Sequence, residues 1–191
     1  TWGMPVLATC GFAGGILHLF NHAVFKCLLF YAAGSVARAT HTVDMERLGG
    51  LAKRLPATAA MFLFGGLAMA GLPMLNGFVG EFTIYTALFS GHAPTAAANV
   101  ALISSAAILG LVGAVSALSL TRAFGVAFLG NPRDQQVHHG TESPPSMLWV
   151  MALHTAGAVV LGLAPEIAIG FVRTTAGLFP SCLSAPSRGG R

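Results

Sequence analysis

Charge is what this sequence has least of. Of 191 residues, 10 are Lys or Arg and 6 are Asp or Glu, so 8% are charged, against about 25% in an ordinary soluble domain. So few charged groups could not cover the surface of a soluble protein of this length, and the mean hydropathy of +0.73 agrees. Cysteine is scarce as well. Cys10, Cys27 and Cys182 form neither a CxxC pair nor an even set, which excludes a disulfide framework or a zinc ribbon. Cys10 and Cys27 are expected to serve as small apolar packers. The net charge of +4 is dispersed over connecting segments without a basic stripe, which argues against nucleic-acid binding. The first residues lack a basic n-region and a cleavage site. With Thr1 in first place, the chain reads as the C-terminal part of a longer, transporter-like one.

What the sequence has in quantity is long apolar runs, 54% of it being hydrophobic. Crossing a hydrocarbon core of about 30 Å takes roughly 20 apolar residues as helix. The expected fold is all-α, a polytopic transmembrane helix bundle of about four spans. The first covers about Leu7–Ala37 and ends at Arg38, with Pro5 in its opening turn. A charged aqueous loop follows, carrying Asp44, Glu46, Arg47, Lys53 and Arg54 around Gly49-Gly50. The second span opens at Pro56, is interrupted at Gly71-Leu72-Pro73-Met74-Leu75-Asn76-Gly77, and resumes as Phe78–Ser90. Proline removes a backbone hydrogen bond and clashes with the preceding turn, and the two glycines loosen the flanks. The interruption reads as a broken helix of the kind that marks ion sites in transporters. A plain kink, or a hairpin between two half-length segments, would share the same residues.

The third span, about Ala96–Leu129, is rich in Ser and Gly, which favours close helix packing; Arg122 near its end can snorkel to the interface. The fourth covers about Ser146–Val172 and holds His154, with Pro165-Glu166 towards its far end. The transmembrane part is thus placed at 1–172, and 173–191, rich in Pro, Ser and Gly, is expected to be a poorly ordered tail. Lys and Arg concentrate in the loops after spans one and three, which the positive-inside rule assigns to the cytoplasm.

Within the first span, His18, His22 and Lys26 stand at i, i+4 and i+8, so they climb one helix face in steps of roughly 6 Å. Titratable groups at membrane depth are costly and usually kept for function. With waters filling the gaps, such a ladder suits a proton relay. Histidines bonded to neighbouring backbone and a snorkelling lysine are the bland alternative. Glu81 is the only acid in the second span, about one turn past Asn76, which is placed as the N-cap of the resumed helix. It could carry protons or pair with Lys26 or Arg122. Metal ligation by His18 and His22 lacks a third ligand nearby, and haem ligation with His154 lacks a second histidine pair. No cofactor or metal is assigned to the chain. His92, His138 and His139 read as solvated loop residues.

The run "HLFNHAVFKCLLF" (His18–Phe30) followed by Ala33-Gly34-Ser35 resembles the antiporter-like membrane subunits of respiratory complex I and of membrane-bound hydrogenases. "HTVDMERLGGLAKRLPATAA" (His41–Ala60), "GLPMLNGFVGEF" (Gly71–Phe82) and "AFGVAFLGNPR" (Ala123–Arg133) look most like the hydrogenase-4 component B and formate-hydrogenlyase branch. The resemblance covers nearly all of the chain to about Pro145. It implies a proton-translocating subunit built from two inverted repeats, each with a broken helix, of which this chain holds most of the second. By that analogy His18, His22 and Lys26 belong to a central hydrophilic axis, and Glu81, lysine in some relatives, is the outer terminal residue. The first broken helix with its own lysine is absent here. The implied partners are other membrane subunits, a peripheral hydrogenase or dehydrogenase arm that does the redox chemistry, and the lipid bilayer of a prokaryotic cytoplasmic membrane. A subunit of a multi-subunit Na⁺/H⁺ antiporter shares these motifs, and a non-conducting membrane scaffold is the alternative of another class.

Overall fold

The structure, a computed structural model, describes residues 4–91, 93–134, 137 and 139–176, and of these the side chains from residue 11 to 170 and that of Val172. It contains helices α1 (Met4–Thr40), α2 (Pro56–Met69), α3 (Asn76–Ser90), α4 (Ala96–Phe128), α5 (Pro145–Leu163) and α6 (Pro165–Ala176), with a short 3-10 turn at Leu51–Lys53. Helix is the whole of the regular structure among the described residues. Three helical stretches are long and apolar enough to cross a bilayer: Gly11–Thr40, Ala96–Phe128 and Pro145–Leu163. At 14 and 15 residues, α2 and α3 rise only about 21–22 Å each, too short to span alone.

The two short helices succeed one another rather than doubling back. Along α1, Gly65 of α2 faces Leu28 and Leu29, Gly77 faces Phe25, Gly80 faces His18, and Thr83 and Ile84 face Gly14. Contacts that step steadily down α1 as the second chain advances require one discontinuous span lying along it. Helix α4 gives the same order, with Gly66 of α2 at Leu120 and Tyr85 of α3 at Gly110. A hairpin would have brought α2 and α3 side by side. Instead α1 lies at the centre, against α2, α3, α5 and α6. Its buried face includes Leu17, Asn21, Phe25, Leu28, Leu29, Ala32 and Ser35.

Gly71 ends α2. With φ of +69° it takes the left-handed conformation that glycine adopts at low cost. Its N–H donates to the Ala68 carbonyl (3.2 Å) and the Leu72 N–H to the Leu67 carbonyl (3.1 Å), the paired bonds of a Schellman motif. Pro73 lies two residues beyond Gly71, so the stop is made by the glycine and not, as the sequence suggests, by the proline. Backbone freed at membrane depth must be covered by protein or line a watery cavity. Here α5 covers it: a side chain at Gly162 would run into the main chain of Met74 and Leu75.

The expected fourth span proves to be two helices. Pro165 disfavours helical geometry in the preceding residue, and Ala164 takes φ −124°, ψ 69°. α6 then folds back on α1, burying Ala168 and Val172 near Leu17. Cys27 faces outward instead of packing inside. Of the tail expected at 173–191, residues 173–176 belong to helix α6; the side chain of Cys10, the residues Cys182, His92 and His138, and the tail from 177 lie outside the described residues.

Both charged loops sit at one end of the bundle and are docked together. The Gly50 N–H donates to the Leu129 carbonyl at 2.8 Å. Arg47 Nε donates to the Asp134 carboxylate at 2.9 Å, and Arg133 Nη1 to the Met45 carbonyl at 3.1 Å. The hydrogen bond and the charge of Asp134 raise Arg47 above the ordinary arginine range. α2 has no side-chain cap of its own. The Glu142 carboxylate supplies one from the other loop, accepting from the N–H groups of Ala57 (2.9 Å) and Thr58 (3.3 Å) and from the Thr58 hydroxyl (2.6 Å).

Candidate functional site

The chemistry-bearing residues meet where α1 crosses the start of α3. One glycine permits that approach and another lets the end of α2 meet the start of α3. A Cβ at Gly77 would strike the Ala68 carbonyl, and one at Gly80 would lie 2.8 Å from both Cα and Nδ1 of His18. His18 therefore rests directly on the α3 backbone, at the residue before Glu81. A Cβ at Gly71 would lie 2.8 Å from Oε2 of Glu81, so this carboxyl group folds back over the break itself.

Asn76 is wholly buried and is the first residue of α3, with Leu75 at the cap position. It does not cap its own helix as the sequence reading has it. Its Nδ2 donates across the interface to the main-chain carbonyl of Asn21 (2.9 Å) and more weakly to Asn21 Oδ1 (3.5 Å). The reason is geometric: an N-cap side chain must reach back over the first turn, and this one points at α1.

His22 stands one turn along α1, its ring centroid 6.2 Å from that of His18 and 5.2 Å from the ring of Phe25, which it meets edge-on. Lys26 is a turn further and half-buried. Among the described residues no ion pair joins Glu81 to Lys26 or to Arg122. Arg122 is exposed and lines an open cavity of about 460 Å³ with Asp44, Glu46 and Ser119. His154 is occupied locally: Nδ1 lies 2.8 Å from the Val150 carbonyl and the ring packs edge-on against Tyr31.

The structure thus gathers Glu81, Gly71, Asn76 and Gly77 at the break, and His18 lies against Gly80, one turn into α3. His22 and Lys26 stand on α1 on either side of Phe25, which packs against Gly77, and Pro73 stays on the exposed side of the loop. Sequence reasoning missed Asn21 and Gly80. Asn21 had a signal, a polar residue three positions from His18 on the same helix face in an otherwise apolar run. Gly80 had one as well, lying one turn past Asn76.

A discontinuous membrane span packed against a row of titratable groups is an architecture that recurs among membrane proteins with ion sites at broken helices. The sequence model described as "NADH:quinone oxidoreductase/Mrp antiporter, TM" matches residues 2–123, and the chain belongs to that family of membrane proteins. It is similar to Hydrogenase-4 component B of Escherichia coli (strain K12), 37% identical over 161 residues, covering 84% of this chain and 24% of that protein. Formate hydrogenlyase subunit 3 of the same organism is 39% identical over 141 residues, covering 73% and 23%. Among solved structures, a chain of the membrane-bound sulfane sulfur reductase, an archaeal respiratory membrane complex, superposes with a TM-score of 0.76 at 26% identity, covering 95% of this chain and 27% of that one. The chain spans about a quarter of the length of these relatives.

Proposed function

We propose that the chain works as part of a proton-translocating membrane subunit in a redox-driven complex of the hydrogenase, formate hydrogenlyase or NADH:quinone oxidoreductase type. It conducts protons through His18, His22, Lys26 and Glu81. The observation that carries this reading is the seating of His18 on Gly80, the residue before an acid whose carboxyl group closes over the helix break. Histidine and carboxyl groups both bind and release protons. A break in the membrane span leaves backbone and side-chain polar groups free to serve the passing ion.

Redox chemistry belongs to partner subunits, so no cofactor is assigned to this chain. Partners are other membrane subunits and, through them, a peripheral arm. The basic loops bearing Arg38, Arg47, Lys53, Arg54 and Arg133 face the cytoplasm of a prokaryotic cell. α3 then forms the outer half of the broken span and Glu81 leads to the exit. Lys26→Met in vesicles holding the assembled complex, driven by its own electron donor, tests the reading. We expect acidification to be lost while the complex still assembles. Undiminished acidification would favour a scaffold, and acidification replaced by sodium movement would favour the antiporter reading.

A further inference from the structure

α4 is the least covered of the three helices long enough to span: 6% of its most apolar stretch is buried, against 33% in the first. Its open face has an order to it. Ile108, Leu111, Val115 and Leu118, each more than half exposed, recur every three or four residues and so form one stripe. One more step of that spacing reaches Arg122, which is exposed as well. The stripe is apolar over about 15 Å and ends in a guanidinium.

Helix length fixes the depth of that guanidinium. The 33 residues of α4 rise about 50 Å, about 20 Å more than the hydrocarbon core. An upright α4 therefore projects about 10 Å at each end. Arg122 precedes the last residue, Phe128, by about 9 Å of helix rise. It stands where hydrocarbon gives way to lipid phosphates.

Opposite charges wait at the same level. Arg122 shares an open cavity of about 460 Å³ with Asp44 and Glu46, yet among the described residues no ion pair joins it to either acid. The loop that carries the acids is held in place. Arg133 Nη1 donates to the Met45 carbonyl at 3.1 Å, and the Glu46 N–H to Asp44 Oδ1 at 3.0 Å. Arg47 is engaged by Asp134. The cavity thus presents one guanidinium and two carboxylates with space between them.

An anionic headgroup would meet two carboxylates for one guanidinium, and a plain cation would meet the guanidinium. A headgroup with both a phosphate and an ammonium suits both sides, since arginine binds phosphate with two parallel hydrogen bonds. The ammonium must also carry N–H donors for the carboxylates. A quaternary ammonium has none and is recognised by aromatic faces, and no aromatic residue lines this cavity among the described residues.

We propose that α4 and the 44–46 loop form a site for one ethanolamine phospholipid. Its tails lie along the stripe, its phosphate on Arg122 and its ammonium at Asp44 and Glu46. The site stands independently of the proton-conducting reading.

The test uses the assembled membrane complex, stripped of lipid in detergent and then offered phosphatidylethanolamine, phosphatidylcholine or phosphatidylglycerol with the same tails. Native mass spectrometry counts the lipid bound, and a density map in phosphatidylethanolamine nanodiscs locates it. Arg122→Gln should weaken phosphatidylethanolamine binding at one site on the order of tenfold, as loss of a charge-assisted hydrogen bond does. Asp44→Asn combined with Glu46→Gln should reverse the preference, because a lone guanidinium favours the anionic phosphatidylglycerol. All these side chains are exposed, so the variants should assemble. Equal binding of the ethanolamine and choline lipids would overturn the headgroup assignment. An unchanged preference in the double variant would mean that Arg122 only snorkels, and would overturn the site. A helix of a neighbouring subunit lying over the stripe in the map would overturn the occupant.

Discussion

Gly71 holds two constraints at once. Its φ of +69° disfavours any side chain, and the space where a Cβ would go is taken by Oε2 of Glu81. Gly71→Ala should therefore cost about 1–2 kcal/mol from backbone strain alone and displace the Glu81 carboxyl group from the break. A lowered unfolding midpoint in detergent together with reduced proton flux checks both consequences. An unchanged midpoint would mean that the turn rebuilds without strain. That Gly71 mattered was legible in the sequence, but its neighbours were not. The proline looked like the breaker because proline interrupts any helix it enters, yet a Schellman turn had already ended α2 before Pro73 was reached. Asn76 looked like a cap because asparagine caps helices. Only tertiary packing reveals a better partner, the Asn21 carbonyl, 55 residues earlier on α1.

At the scale of elements, α2 depends on a residue it does not contain. Pro56 opens the helix, and its first N–H groups are satisfied by Glu142 from the loop after α4. Losing a cap of this kind costs about 0.5–2 kcal/mol. Glu142→Ala should lower stability by that much, read as a lower unfolding midpoint, and speed proteolysis near Leu55; Arg47→Ala, which removes only an exposed ion pair, should have the smaller effect of the two. Equal effects would show that the docked loops stabilise as a unit and that the cap has no separate worth. The spans themselves could be read from hydropathy because a bilayer imposes length and composition. The Glu142 cap could not, since it joins positions 85 residues apart with no periodicity between them. The split of the fourth span was signalled by Pro165, whose effect on the preceding residue ends α5 at Leu163. Composition alone does not separate a kink from two helices.

Across the whole molecule, α1 organises the bundle. It packs against both halves of the broken span and against α5 and α6, with Leu17 and Phe25 in clusters that reach both. The sequence gives this helix away through its row of titratable residues, whereas its actual depth depends on neighbours at distant positions. Both docked loops lie at one end, so the topology is open to a direct check. A cysteine placed at Asn131 should react with an impermeant reagent only from the cytoplasmic side, and labelling from outside would reverse the assigned direction of proton exit. The central claim is that a proton reaching α3 must pass Glu81. The measurement is the pH gradient built by vesicles holding the assembled complex with Glu81→Gln. This account predicts a collapsed gradient that Glu81→Asp restores in part. A gradient as large as that of the unaltered complex would contradict it.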